Sequence, residues 1–371
     1  MKKLKKTQIL RISFAVLCVI LVIFLQVLST ILSGLLYHQQ AAQRWQGDSE
    51  LKFSQISVFL RQEADFDTNQ ITSLHEQINT QLTSASLEIS SDDTRLWYDC
   101  YSTQGGQMEI TGTRKKSAQA FATVVGGDFF IMHTPRIADG SYFQESDLMQ
   151  DRVVIDTRLA WQLFGSSEVA GMEIRIQNRA CLIAGVIEPE TDYATETVYG
   201  DTGRIYFSYT LYQELQGDSS STHIDCYEAV LPNPVRNFAK NLISDAIDSG
   251  AAQATEQDGQ KITKNILDNT VRYTLSGRWE QLRHIRELVT AETVTYPYWE
   301  NAARIICFDT AMLLFLSILF SVYPVIYLIW LCWKFYRFAD RTIWQKRMAY
   351  RNRYRPQIPK EQNSEKSSQS E

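Results

Sequence analysis

The chain has 371 residues, of which 44% are hydrophobic and 12% aromatic, and only six are cysteines. Its net charge of −5 is unevenly spread: residues 1–36 carry five Lys and Arg and no acid, residues 37–304 carry 22 against 37 Asp and Glu, and residues 305–371 carry ten against five. These values exclude a disordered chain and a small disulfide scaffold, and an acidic middle that repels phosphate argues against a nucleic-acid partner.

The first predicted element is an uncharged apolar segment of 25 residues from Ile12 to Leu36. As a helix it would extend ~37 Å at about 1.5 Å per residue, enough to cross a hydrocarbon core of about 30 Å. A cleaved signal peptide is the alternative, but its apolar region runs only ~7–15 residues, and no small-residue cleavage motif follows here. We therefore predict a transmembrane helix at residues 12–36 after a basic cytoplasmic N-terminus at residues 1–11.

The segment that follows, residues 37–304, predicts an α+β domain of some eight strands and four helices, with mixed sheets and packed helices in one or two lobes. Polar residues 38–50 predict an outward continuation of the first helix. Phe53–Leu60 predicts a strand, and Asp67 predicts the cap of an amphipathic helix that buries Ile71, Leu74, Ile78 and Leu82. Residues 94–102 and 107–112 predict a hairpin whose turn contains Gly105 and Gly106.

The middle of the domain predicts a strand at Ala120–Val125 that Gly126 and Gly127 end. Residues 151–156 predict another strand, whose Asp156 caps a short helix that Gly165 closes at its C-terminus. Strands are further predicted at 172–177, 180–188, 204–210 and 223–231, and helices at 234–249 and 279–291.

A second apolar segment, Ala311–Trp333, predicts a transmembrane helix at 305–333, kinked at Pro324. Basic residues follow it, so both termini are predicted to be cytoplasmic, with residues 37–304 outside. Asp309 is interpreted either as an interfacial residue at the helix N-terminus or as a polar contact with a partner. The tail at 334–371 is interpreted as a basic flank on anionic lipid or a short interfacial helix, with residues 359–371 disordered.

The sequence carries no nucleotide-binding loop, hydrolase elbow or zinc-protease motif, and no metal site or catalytic residue is predicted. His223 and Asp225 are interpreted as polar residues on an edge strand. Asp128 is interpreted as a turn-stabilising acid, with cation binding as the alternative. Cys100, Cys181 and Cys226 are expected to be buried free thiols, although a disulfide from Cys100 to either of the others stays open.

Five stretches of the chain resemble one family of bacterial membrane proteins. They are FSQISVFL at 53–60, VVGGDFF at 124–130, DRVVIDTRLAWQLFGSSEVAGM at 151–172, IAGVIE at 183–188 and YPYWENAAR at 296–304. They resemble ABC transporter permeases with a MacB-type periplasmic core domain, also called FtsX-like. The motif positions singled out as structural or interaction residues are Gly126, Gly127, Asp128, Phe129, Phe130, Trp161, Phe164, Gly165, Gly171, Trp299 and Glu300.

The resemblance implies an extracytoplasmic domain between two membrane helices, in the inner or sole membrane of a bacterium. It implies a permease-like subunit without enzymatic activity or cofactor. Its partners would be a separate ABC ATPase, further permease subunits, the lipid membrane, and an extracytoplasmic adaptor or substrate. Family permeases usually have four spans, whereas only 38 residues follow the second span here, so two helices would need partners to form a pathway. A two-span membrane sensor or accessory protein that binds an extracytoplasmic ligand is the alternative, and an envelope enzyme is the least favoured.

Overall fold

The computed structural model describes residues 6–60, 66–87, 95–113, 116–217, 223–254, 264–286 and 296–353. The chain divides into two compact units, one formed by residues 1–24 and 316–371 and the other by residues 25–315. The first unit holds most of two long apolar helices, α1 (Lys6–Gly34) and α11 (Tyr298–Arg353). Both are long and apolar enough to cross a membrane.

The second unit is built around a ten-stranded mixed sheet. Its strands are β1 (Phe53–Leu60), β2 (Tyr98–Gly112), β3 (Ser117–Gly127), β4 (Arg136–Gly140), β5 (Arg152–Asp156), β6 (Glu173–Ile176), β7 (Arg179–Glu188), β8 (Gly203–Ser208), β9 (Cys226–Pro232) and β10 (Lys264–Asp268). The order is β10-β1-β9-β2-β3-β8-β5-β7-β4, and β6 pairs with β2 and β7. Most neighbours are antiparallel, but β3 pairs with β8 and β5 with β7 in parallel.

Helices of 4 to 17 residues precede, connect and follow these strands. They are a 3-10 helix at Tyr37–Gln40, then α2 (Ala41–Gln46), α3 (Thr68–Ser84), α4 (Phe129–His133), α5 (Thr157–Phe164), α6 (Tyr193–Tyr199), α7 (Tyr209–Gln216), α8 (Phe238–Ala254), α9 (Asn269–Arg272) and α10 (Leu275–Arg283).

Helices cover the sheet on both faces, which is why every residue of β1 is buried. On one face, Ile56, Val58 and Leu60 join a large apolar core with α3, α5, α7 and α8. On the other face, Phe59 joins a second core with α2, α4 and Trp299. Alternate residues of a strand point to opposite faces, so one eight-residue strand supplies both cores.

Local signals in the sequence predicted several elements correctly. The Asp67 side chain accepts hydrogen bonds from the backbone of Asn69 and Gln70, and the Asp67 backbone amide donates to the Gln70 side-chain oxygen, which completes a capping box. Asp156 caps α5. Gly165 ends that helix at φ +74°, a left-handed conformation that glycine adopts without steric cost.

The predicted hairpin at residues 94–112 is wrong, because β2 is one continuous strand. It pairs with β3 from Cys100 opposite Gly127 to Thr111 opposite Ser117. The two glycines form a bulge between Gln104 and Gly106 instead of a turn, since a φ of +76° at Gly106 suits a bulge as well as a turn. Similarly, Gly126 does not end β3, which continues through Gly127.

Other boundaries also differ from prediction. α1 ends at Gly34, and the chain turns through two short helices rather than continuing as a stalk. The strand predicted at 204–210 ends at Ser208, whose hydroxyl caps α7. The helix predicted from Pro234 begins at Phe238, and β4 and β10 were not predicted. The helix predicted at 279–291 is α10, which ends at Arg283, and residues 287–291 lie outside the described residues.

The second apolar helix is longer than predicted, since α11 extends without interruption across Pro324 to Arg353. The basic flank at 334–353 is therefore part of this helix and not a separate interfacial one. Asp309 lies within α11, not at its N-terminus, and accepts a hydrogen bond from the hydroxyl of Tyr193. The tail predicted to be disordered at 359–371 and the N-terminal residues 1–5 lie outside the described residues.

Candidate functional site

The ends of the two apolar helices meet on the face of the sheet that carries the second core. His38 follows α1, and its Nε2 atom lies 3.3 Å from the carbonyl oxygen of Trp299, in the first turn of α11. Gln55 of β1 binds the same segment, because its amide donates to the His38 carbonyl oxygen at 2.9 Å and its Oε1 accepts from the Ala41 amide at 3.0 Å. One strand thus holds the segment that leaves α1, and that segment contacts the start of α11.

A series of contacting buried polar side chains leads from this strand to α11 and is called the polar chain. Its members are His133, Glu228, Ser57, Asn269, Arg272 and Glu300. Ser57 donates to Glu228 at 2.6 Å and accepts from Asn269 at 2.7 Å. The Arg272 guanidinium donates to the Asn269 side-chain oxygen at 3.4 Å. The polar chain therefore runs from the centre of the sheet, through α9, to the beginning of α11.

Arg272 and Glu300 form the strongest contact of this chain. Two guanidinium nitrogens of Arg272 donate to the two Glu300 carboxylate oxygens, each at 2.7 Å. Both side chains are buried. A bidentate pair of this kind fixes orientation as well as distance, so it sets how the first turn of α11 meets α9.

His38 lies beside the carboxylate of Glu190. Its Nδ1 atom is 3.4 Å from the Glu190 carboxylate. Burial alone lowers the pKa of His38, but Glu190 and the more distant Glu228 outweigh burial and raise it. Burial likewise raises the pKa of Glu190, and the contact with His38 outweighs this and lowers it. The protonated ring and the carboxylate therefore favour each other's charged forms.

Three further contacts lie within the second unit, near the end of α1 and the start of α11. Arg278 of α10 donates to the Ser29 hydroxyl of α1 at 2.6 Å. The Arg44 guanidinium donates to the Met132 carbonyl oxygen at 2.6 Å and thereby joins α2 to α4. The Tyr273 hydroxyl donates to the Ala303 carbonyl oxygen at 3.4 Å.

Of the predicted motif positions, the structure brings the GGDFF turn (Gly126–Phe130) together with Trp299. The Phe129 and Trp299 rings are 5.6 Å apart, and Trp299 is buried in the same core. Gly126 faces the Tyr101 ring so closely that an added Cβ atom would lie 2.3 Å from it. Glu300 belongs to the polar chain described above.

The GGDFF turn also borders a cavity of about 570 Å³. Gly127 has φ +62° and donates its amide to Glu145 at 2.6 Å. Asp128 makes no side-chain cap bond to α4. Its carboxylate instead pairs with the Arg95 guanidinium at 2.8 Å, so its role differs from the predicted turn-stabilising one.

The remaining predicted positions do not join this site. Trp161 is 60% exposed on α5, and Phe164 packs at the margin of the first core. Gly165 ends α5, and Gly171 has φ +82° with no atom near its missing Cβ position. The sequence pattern of these four positions therefore reflects helix α5 and the turns that follow it.

Sequence reasoning missed His38, Arg272 and Glu228. It also misplaced Asp225, which is a buried residue directly before β9. Because β9 lies between β1 and β2 in the sheet, Asp225 is not on an edge strand. Asp225 accepts from the Thr103 hydroxyl at 2.5 Å and the Gln104 amide at 3.0 Å. Cys100, Cys181 and Cys226 are buried free thiols, as expected.

Two long apolar helices and a mixed α+β unit define a membrane protein with an extracytoplasmic domain. The family model "MacB-like periplasmic core domain" matches residues 12–258, well over half of the chain. The chain belongs to this family of ABC transporter permeases and is a permease-like membrane subunit.

The chain is similar to the periplasmic region of MacB from Actinobacillus actinomycetemcomitans, at 15% identity and a TM-score of 0.39, over 60% of this chain and 92% of that one. It is also similar to the extracellular domain of the noncanonic ABC-type transporter YknZ from Gram-positive bacteria, at 12% identity and a TM-score of 0.35, over 58% of this chain and 100% of that one. No curated protein matches the chain.

Proposed function

We propose that the chain is the permease-like subunit of an ABC complex and couples the motion of a separate cytoplasmic ATPase to its extracytoplasmic domain. In this proposal residues 12–36 and 305–333 span the membrane, and residues 1–11 and 334–371 are cytoplasmic. Residues 37–304 lie outside. The observation that carries the proposal is the contact of the segment after α1 and the start of α11 with one another and with one sheet.

Transmission of motion requires a stiff connection between the moving helices and the domain. A flexible Gly- or Ser-rich linker would absorb a displacement of either helix. Here Gln55 holds the backbone after α1 through two hydrogen bonds, and Arg272 holds α11 through a buried bidentate pair. A displacement of either helix end would therefore act on the sheet directly.

The extracytoplasmic partner or substrate would bind to the acidic domain. The cavity beside the GGDFF turn supports this part of the proposal, since it is lined by both charged and aromatic side chains, including Arg95, Asp128, Phe130 and Tyr142. Gly127, Asp128 and Phe130 of the GGDFF turn line this cavity, and Phe129 of the same turn contacts Trp299, so a bound group and the start of α11 would both contact this turn.

The test is co-purification of the tagged full-length chain from its own host in mild detergent. We expect a separate ATP-binding subunit to accompany it, and the purified complex to hydrolyse ATP. A two-span membrane protein of unrelated fold, tagged and expressed alike, serves as the control and should bring down no such subunit. Recovery of the chain without any ATP-binding subunit or second permease would overturn the proposal.

A further inference from the structure

A second feature of the same sheet face is a cluster of metal-ligating side chains. Cys100, His133 and Glu228 each offer one ligand atom, and these atoms all lie within 4.8 Å of one another. All three side chains are buried. The cluster contains a thiol, an imidazole and a carboxylate, which are the ligand types that zinc sites use.

The fold brings these residues together from distant positions in the chain. Cys100 of β2 stands directly opposite Glu228 of β9 in the antiparallel pairing, so both side chains point to the same face. His133 is the last residue of α4, which packs on that face. Its ring also contacts Trp299, at 4.7 Å between ring centroids.

The position of the His133 ring suits a metal ligand. Its Nε2 atom is 2.8 Å from the nearer Glu228 oxygen. However, the two groups are not aligned as a hydrogen bond, and the buried Nε2 atom has no other partner among the described residues. A buried polar nitrogen without an aligned partner is unfavourable, whereas two ligands that converge on one ion show this arrangement.

We propose that Cys100, His133 and Glu228 bind one zinc-type transition-metal ion, with a water molecule as the fourth ligand. Thiolate and imidazole ligands favour Zn²⁺ over Mg²⁺ or Ca²⁺, which prefer oxygen. On binding, the S–H bond of Cys100 breaks, the sulfur electron pair coordinates the metal, and the proton passes to solvent. No oxidation or reduction takes place. The ion would connect β2, β9 and α4.

The test uses the purified full-length chain in detergent, first stripped of metal with a chelator and then titrated with Co²⁺. We expect one Co²⁺ per chain, with a sulfur-to-cobalt charge-transfer band that Zn²⁺ abolishes by displacement. Cys100→Ser should lose this band. Cys181→Ser removes a buried thiol that lies outside the cluster, and it should keep the band.

A second readout separates binding from folding defects. Zn²⁺ should raise the thermal midpoint of the wild-type chain and of Cys181→Ser by several degrees, and it should leave that of Cys100→Ser unchanged. If the wild-type chain takes up no Co²⁺, or if Cys100→Ser keeps the charge-transfer band, His133 and Glu228 form only a buried ion pair and the proposal is wrong. ATPase co-purification is measured independently, so the two proposals fail separately.

Discussion

Glu300→Gln should lower the free energy of unfolding by about 3–5 kcal/mol, the largest effect that we expect from a single conservative substitution. Glutamine keeps the size of the side chain but removes its charge. The Arg272 guanidinium would then stay buried with no compensating carboxylate, since both of its bonds to Glu300 are charge-assisted at 2.7 Å. The measurement is denaturant unfolding of the full-length protein in detergent.

The matched control is Glu188→Gln. Glu188 pairs with Arg136 at 3.2 Å, but their side chains are 44% and 82% exposed. An exposed ion pair contributes about 0–1 kcal/mol, because water already stabilises both charges. Equal losses for the two variants would contradict the assignment of a buried pair at the start of α11.

Trp299→Ala should lower the free energy of unfolding by about 3–5 kcal/mol, because it leaves a large cavity in the second core. The Trp299 side chain is 1% exposed, and its ring contacts Phe129, His133 and Tyr298. Loss of the ring removes the apolar contact between the first turn of α11 and α4. Thermal and denaturant unfolding of the full-length protein measure the effect.

Trp161→Ala provides the comparison, as the same substitution at an exposed position. Trp161 lies on the outer side of α5, and its replacement should change stability by no more than ~0.5 kcal/mol. A loss at Trp161 as large as that at Trp299 would contradict the exposed position of Trp161 and the buried one of Trp299.

The sequence predicted best those features that neighbouring residues determine. The cap at Asp67, the apolar face of α3 and the glycine end of α5 all depend on residues within one or two helical turns. The hairpin at Gly105 and Gly106 was wrong for the opposite reason. A glycine pair permits a turn or a bulge, and the choice depends on the pairing of β2 with β3, which begins only after the glycines.

The same contrast between local features and features that depend on tertiary packing applies to the candidate site. The resemblance singled out the GGDFF turn and Trp299, but not their contact, which depends on how α4 and α11 pack on one sheet. The polar chain was missed because its members come from separate segments, and no local spacing connects Ser57 with Arg272. The proposed metal ligands also come from separate segments, since Cys100 and Glu228 meet through strand register and His133 is contributed by α4.

The most direct test of the central claim, an outside domain carried by two spanning helices, is labelling of intact cells with a membrane-impermeant maleimide. The background protein carries Cys332→Ser, which removes the exposed native thiol. A single cysteine then replaces either Leu148, which is 99% exposed, or Gln345, which is exposed in the basic part of α11. We expect Leu148→Cys to react in intact cells and Gln345→Cys to react only after permeabilisation. Reaction of Gln345→Cys in intact cells, or protection of Leu148→Cys, would contradict the account.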